Sequence, residues 1–422
     1  MNTLFRKLVR ATLISAIAVM LLPTTVAMAA VVYYVDDDNC PGPGSGTQLD
    51  PYCTIQDAVD NAVDGATIYV AAGTYEDAVP IYIGGFNGLN LIAPDGPGVT
   101  TIQLPDSALN PGPIVTVEDS HSVLFQGFTV SGNDNFDLDT DGWMAGINYH
   151  NSSGTIQGNY VTGIDIASDA ASPPSNYFGS AIAANDDDGV AVSKLNILDN
   201  EVDTFLNNGL DLGGYLKLAV SGNTITGGGV SSGYANQTGI WIGFGATGKI
   251  IGNVIYDVPD APPSNPQGTG VDIYQTSKVK LKDNTIDTAA VGVRVGVECR
   301  DGMGVSSGNK IMGNTISNIS PDGTGVEIGA HTFDNGGGDA STCDPLASGN
   351  KVQKNTFTNT GDGNATWVVG VRIGRNDDDG YGTGFVPYAD GNQVKSNTFT
   401  GFDTAVEDQG SNTKTSSNVS NP

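Results

Sequence analysis

The 422-residue chain carries 46 acidic against 18 basic residues, a formal charge of −28, with 58 Gly and only 7% aromatic residues. Such a surface repels nucleic acid and anionic membranes. Three His and four Cys leave little material for a His-rich catalytic metal centre.

The first residues follow a secretory pattern: Arg6, Lys7 and Arg10 form a basic start, Ala11 to Leu22 an apolar core, and Ala27-Met28-Ala29 a small-residue cleavage site. The apolar run is short for a membrane span and no stop-transfer pattern follows it. Residues 1–29 are therefore read as a signal peptide and residues 30–422 as the mature chain, with 46 acidic against 15 basic residues. The expectation is an exported protein, extracellular, at the cell surface or periplasmic, with no membrane insertion of the mature chain. Cys40 with Cys53, and Cys299 with Cys343, are expected to form disulfides in that oxidising setting.

Ile55, Ala58, Val59, Ala62 and Val63 follow helical spacing and Gly65 ends the run. This predicts a short amphipathic helix capping the coils that begin with Ile68-Tyr69-Val70 and Leu89 to Ile92. Residues 30–115 are thus expected to hold the cap and first coils, and residues 116–422 a repeat region. The stretches 168–176 and 258–267, each containing Pro-Pro-Ser-Asn, are expected as loops of one elongated domain.

The repeat is an apolar-x-x-Asn-x-apolar pattern. It occurs eight times, centred on Asn159, Asn200, Asn223, Asn253, Asn284, Asn314, Asn355 and Asn397, at intervals of 41, 23, 30, 31, 30, 41 and 42 residues. An earlier copy, Phe125-x-x-Phe128-x-Val130, has Phe at the Asn position. Each Asn is expected at a bend between two short strands, bonded to the Asn of the next coil. Between these motifs lies a second one, an alternating strand opened by Gly209, Gly239, Gly270, Gly292, Gly325 or Gly370, with weaker copies at Gly146, Ala181 and Ala405. Two motifs alternating once per coil predict an all-β solenoid: a single-stranded right-handed parallel β-helix with an N-terminal capping helix and an asparagine ladder.

With the opening Tyr33-Tyr34-Val35-Asp36-Asp37-Asp38, the run from Ile55 to Tyr75 and the Asn repeats, the chain resembles the pectin-lyase-like right-handed β-helix superfamily. That group includes secreted proteins with NosD-type or carbohydrate-binding-and-sugar-hydrolase repeats. The resemblance spans nearly the whole mature chain and implies the fold. It leaves the activity open, because lyases, hydrolases, epimerases, adhesins and scaffolds share that fold.

Aligning the Gly-led strands places Asn148, Ala183, Asp211, Trp241, Asp272, Arg294, Glu327, Arg372 and Glu407 in one outward row, one residue per coil. One reading is an exposed charge ladder whose members neutralise one another. The other is a groove for a linear polysaccharide, with Trp241 stacking on a sugar and Asp272 and Glu327 binding it. Arg294 would then clamp a uronate carboxylate and Arg372 would act as the base of a lyase. Glu298, Arg300, His331, Arg375 and Asp377 to Asp379 lie in loops that follow the row and are expected to gather over it. Hydrolysis needs a carboxylate pair; Asp186-Asp187-Asp188 and Asp377-Asp378-Asp379 offer too many candidates, and the motif set of family-28 hydrolases is missing.

Asp137, Asp139 and Asp141, followed by Gly142, resemble the first half of a calcium loop, although Asn148 stands where an EF-hand would close. Calcium is the one candidate cofactor. The leading function is a secreted β-helix that binds, and in an enzyme version cleaves or modifies, an extracellular polysaccharide, with a uronate type favoured and lyase chemistry ahead of hydrolysis or epimerisation. The alternative is a non-catalytic structural or adhesive cell-surface protein. A role in metal or cofactor maturation ranks behind both, because no cluster of Met, His or Cys is visible.

Overall fold

In the computed structural model the described residues are 31–76, 80–105, 112–133, 143–165, 178–189, 192–227, 237–258, 268–297, 305–329, 346–360, 368–374 and 388–421. One coil illustrates how the sequence builds them. Ser193–Leu198 is a strand with alternate residues buried, Asp199 and Asn200 make a bend, and Glu201–Val202 is a second short strand. A corner at Thr204 to Leu206 leads into Asn208–Gly214, and Leu216 then starts the next coil beside Ser193. Repetition of this path gives a right-handed parallel β-helix of the predicted kind. The first strands of the coils form a thirteen-stranded sheet, here sheet A, and the other two strands of each coil form a 21-stranded sheet that turns the corner, here sheet B.

Identical register from coil to coil stacks like on like in the interior. Phe125, Ile156, Ile197, Val220, Ile250, Leu281, Ile311, Val352 and Val394 are successive partners on sheet A, and all are buried. At the bends, Asn159, Asn200, Asn223, Asn253, Asn284, Asn314, Asn355, Asn397 and Asn418 form a ladder. Each Nδ2 donates to the Oδ1 of the next Asn over 2.9–3.1 Å. The same Oδ1 accepts the backbone N–H of the Asn before it, so groups that a bend strips from the sheet are satisfied inside. The residue ahead of each ladder Asn has left-handed backbone, which Gly tolerates best and which explains the recurring Gly-Asn pairs at 158, 222, 252 and 313. Phe128 sits fully buried at the head of the ladder and donates its N–H to Asn159 Oδ1.

A capping helix, α1, covers Ile55–Asp60, with Thr54 Oγ1 accepting from Asp57 N at its start. The predicted helix ran to Val63 and is corrected: α1 stops one turn earlier, Asn61 closes it, and Val63 is about half exposed. Cys40 and Cys53 form a disulfide beside this cap. At the far end, Thr415 and Ser420 occupy the interior positions of Val394 and Phe399, so the stack ends in exposed polar residues.

Candidate functional site

Parallel register brings the Gly-led strands into line on sheet B. Asn148, Ala183, Asp211, Trp241, Asp272, Arg294, Glu327, Arg372 and Glu407 are successive partners, and Tyr82 and Thr116 extend the row ahead of them. The glycine that opens each strand is dictated by packing. A Cβ on Gly270 would fall 2.5 Å from Ile286 Cγ2 and 2.6 Å from the carbonyl oxygen of Gly292 in the next coil.

The expectation of an exposed charge ladder needs correction. Asp272, Glu327 and Arg372 are only 8%, 5% and 5% exposed. Their side chains lie along the sheet against neighbouring rungs: Arg294 Nε donates to Glu327 Oε2 at 3.5 Å, and its Nη1 stands 3.9 Å from Asp272 Oδ2. Arg372 donates from Nε to Glu407 Oε2 at 3.0 Å and from Nη1 to Thr324 Oγ1 at 2.7 Å. Buried ion pairs of this kind are costly to break from one side.

Trp241 belongs to an aromatic cluster that the sequence pattern did not reveal. Its ring centroid lies 5.3 Å from that of Phe244 and 6.0 Å from that of Tyr274, and Phe244 and Tyr274 meet edge to face at 5.7 Å. Gly213, Gly243 and Tyr274 are successive partners in the outward row beside Trp241. The indole leans over that glycine floor, and a Cβ on Gly243 would meet its Cη2 at 2.3 Å. Phe244, at the strand's end with φ +51°, is 56% exposed and forms the open edge of the cluster. The available signal was Tyr274 standing two residues beyond Asp272, on the same strand face.

Carboxylates stand on both sides of Trp241, one rung away in each direction. Asp211 Oδ2 accepts from Asn208 Nδ2 at 3.1 Å and from Ser180 Oγ at 3.2 Å; burial raises its pKa and these two donors oppose that rise. Asp272 is pushed up to about 6 by burial, with Arg294 pulling down and Glu327 pushing up. Its Oδ1 is buried without a hydrogen-bond partner. A carboxyl group poised there can give or take a proton near neutral pH.

A second polar network lies near the start of the same sheet face. Tyr82 Oη donates to Glu118 Oε2 at 2.7 Å, Glu118 Oε1 is 3.3 Å from His150 Nδ1, and His150 Nε2 is 3.4 Å from Asp187 Oδ1. The Tyr82 hydroxyl, followed by His150, holds Glu118 below the usual carboxylate range. Sequence reading missed this network because its members come from four different coils.

Glu298, Arg300, His331, Arg375 and Asp377 to Asp379 lie outside the described residues, as do Asp137, Asp139, Asp141 and the Cys299–Cys343 pair. Among the described residues, no helix is long and apolar enough to cross a membrane.

A sequence profile described as "Periplasmic copper-binding protein (NosD)" matches residues 59–327, well over half of the chain. The chain belongs to the NosD family. Copper favours His, Cys and Met donors. Among the described residues of this NosD-family chain, Cys40 and Cys53 are bonded to each other, and no group of three or more His, Cys, Asp or Glu is placed to hold a metal ion. Those residues do not fit a copper site. The NosD-family chain resembles the A-module of Azotobacter vinelandii mannuronan C-5 epimerase AlgE4, with a TM-score of 0.54 and 16% identity over 91% of this chain and 100% of that one. It also resembles a mutant tailspike protein of E. coli bacteriophage HK620 in complex with a pentasaccharide, with a TM-score of 0.54 and 13% identity over 93% of this chain and 67% of that one. At such identities the likeness is one of fold. No curated protein matches the chain in sequence.

Proposed function

We propose that this NosD-family protein is exported and binds an extracellular polysaccharide along sheet B, with Trp241, Phe244 and Tyr274 as the sugar-stacking platform. The observation that carries this reading is the aromatic cluster over its glycine floor, flanked in register by Asp211 and Asp272. Aromatic faces cover the apolar faces of sugar rings, and Phe244, 56% exposed, opens this cluster to a ligand. A solenoid repeats such a surface along one axis, which suits a linear polymer. The basic, apolar and small-residue segments of residues 1–29, and the periplasmic description of the family, support export.

A uronate version of this reading assigns Arg294 and Arg372 to sugar carboxylates, with Arg372 as the base of a lyase. Both guanidinium groups already face protein carboxylates, so a uronate would enter by exchange with Glu327 or Glu407. Between Asp272 and Glu407 the row holds three carboxylates against two guanidinium groups, a balance that favours neutral sugars here.

The deciding experiment is calorimetric titration of the protein with neutral and uronate oligosaccharides, alongside Trp241→Ala and Tyr274→Ala. Stacking on this platform predicts a loss of about tenfold or more in affinity for each variant. Unchanged affinity in both would sink the proposal. Release of new reducing ends that disappears in Asp272→Asn would add turnover to binding.

A further inference from the structure

Sheet A carries a charge pattern opposite to that of the whole protein. None of its thirteen strands contains an Asp or Glu. Every lysine after the amino-terminal segment lies on these strands or within two residues of one, and the described strands of sheet B hold no lysine. In a chain with 46 acidic and 18 basic residues, this is complete segregation of one residue type onto one face.

Register then turns the face into a line. Lys249, Lys280, Lys310 and Lys351 are successive partners on four adjacent strands, and Gln393 and Lys414 continue the same row. At about 4.8 Å per rung, the row runs for about 24 Å along the solenoid axis. Lys249, Lys310 and Lys414 are exposed, and Lys280 and Lys351 are half-buried. Among the described residues, Lys282 in the neighbouring row pairs with Asp283, while no lysine of this line has a carboxylate within ion-pair distance. Like charges directly opposite one another destabilise a sheet, so the line stands at a cost that its own neighbours do not offset.

We infer that the lysine line on sheet A is a docking strip for a linear acidic polysaccharide, whose carboxylates meet successive ammonium groups along the solenoid axis. The line advances by one position per strand along the solenoid axis, and Asp283 stands at the bend beside it, so it fits a chain better than a plane of lipid headgroups. Single-stranded nucleic acid is held by aromatic stacking platforms, and the outward positions from Lys249 to Lys414 carry none. A sugar residue in an extended chain advances by a distance of the same order as a strand spacing, which lets charge repeat match charge repeat. Lysine heads are mobile point charges, so recognition follows charge spacing and weakens with salt. This strip lies on a different sheet from the aromatic platform, and neither site depends on the other.

The test is binding of the full protein to polygalacturonate oligomers, neutral dextran, phosphatidylglycerol vesicles and a single-stranded oligonucleotide, read by biolayer interferometry. Polygalacturonate is expected to bind, with affinity falling steeply as NaCl rises from about 50 to about 500 mM. The triple variant K280Q/K310Q/K351Q should lose at least about tenfold, and K280R/K310R/K351R should retain the affinity. Saturating neutral oligosaccharide should not displace bound polygalacturonate, which separates this strip from the platform on sheet B. Circular dichroism of each variant checks folding. Unchanged polygalacturonate binding by the Gln variant overturns the inference, as does no binding by the parent. Lysine-dependent capture of vesicles or oligonucleotide in place of polygalacturonate overturns it as well.

Discussion

Asp272 Oδ2 faces Arg294 Nη1 at 3.9 Å, whereas Asp272 Oδ1 is buried with no partner. One half of the carboxylate is thus weakly compensated and the other half not at all, and burial pushes its pKa up to about 6. In the unfolded chain the same group titrates near about 3.9. Between those values the folded protein holds a proton that the unfolded chain has released. The stability contributed by protonated Asp272 is therefore complete below about pH 4 and is lost as pH rises through about 6, an effect of roughly 2 to 3 kcal/mol. Asp272→Asn keeps the side chain neutral throughout. Urea unfolding at pH 4 and pH 7 should find the variant gaining on the parent at the higher pH; an unchanged gap between the two proteins would refute the assignment.

The asparagine ladder makes a positional prediction. Asn284 is fully buried, donates to Ile250 O and Asn314 Oδ1, and accepts from both Asn253 N and Asn253 Nδ2. Asn284→Ala strands two buried donors and should cost about 2–4 kcal/mol. Asn418, at the partly exposed end of the ladder, accepts from Asn397, and its own donor goes only to Val394 O. Its loss should cost about 1 kcal/mol, since water can replace part of what is removed. Equal destabilisation of the two variants in a chemical melt would show that position along the ladder carries no weight.

Packing under the row is tested at Gly270. The added methyl of Gly270→Ala must displace either Ile286 or the backbone of the next coil, an overpacking cost of about 1–3 kcal/mol. Gly98 has ordinary backbone and open space where a methyl group would sit, so Gly98→Ala should be close to neutral. Thermal melts of the pair provide the comparison.

How much of this was legible in the sequence depends on whether a feature repeats. The Asn bends recur with apolar residues at fixed offsets, so eight of the ladder residues could be read directly. Asn418 escaped because Thr415 and Ser420 replace its apolar flanks at the open end. The shorter ladder of Asn309, Asn350 and Asn392 escaped because it lies between strands, outside the alternating pattern. The row on sheet B was readable from its glycines, down to the register partner of each residue. Its burial was not, because burial depends on how long side chains lie across neighbouring rungs. Each lysine of the sheet A line from Lys249 to Lys351 directly precedes the first apolar residue of its Asn motif, as in Lys280-Leu281 and Lys310-Ile311. That line was therefore present in the repeat, but only the pairing of strands turns scattered lysines into one surface.

Arg372 shows why activity alone is a poor witness at this site. Its guanidinium bonds Glu407 and Thr324 and stands one rung from Glu327, all in a largely buried row. Arg372→Ala leaves the Glu327 and Glu407 carboxylates without that cation, and should cost about 2–4 kcal/mol, discounted because Glu407 remains partly open to water. Arg372→Lys restores the charge but not the two-sided hydrogen bonding, so it should recover only part of that stability. Lost turnover in the Ala variant would therefore follow from either a catalytic or a supporting role. The discriminating measurement is the pH profile of any sugar-modifying activity in the Lys variant, assayed under conditions where it is fully folded. A base at position 372 predicts that the profile moves with the side chain's own titration, whereas a supporting role predicts an unmoved profile at reduced amplitude.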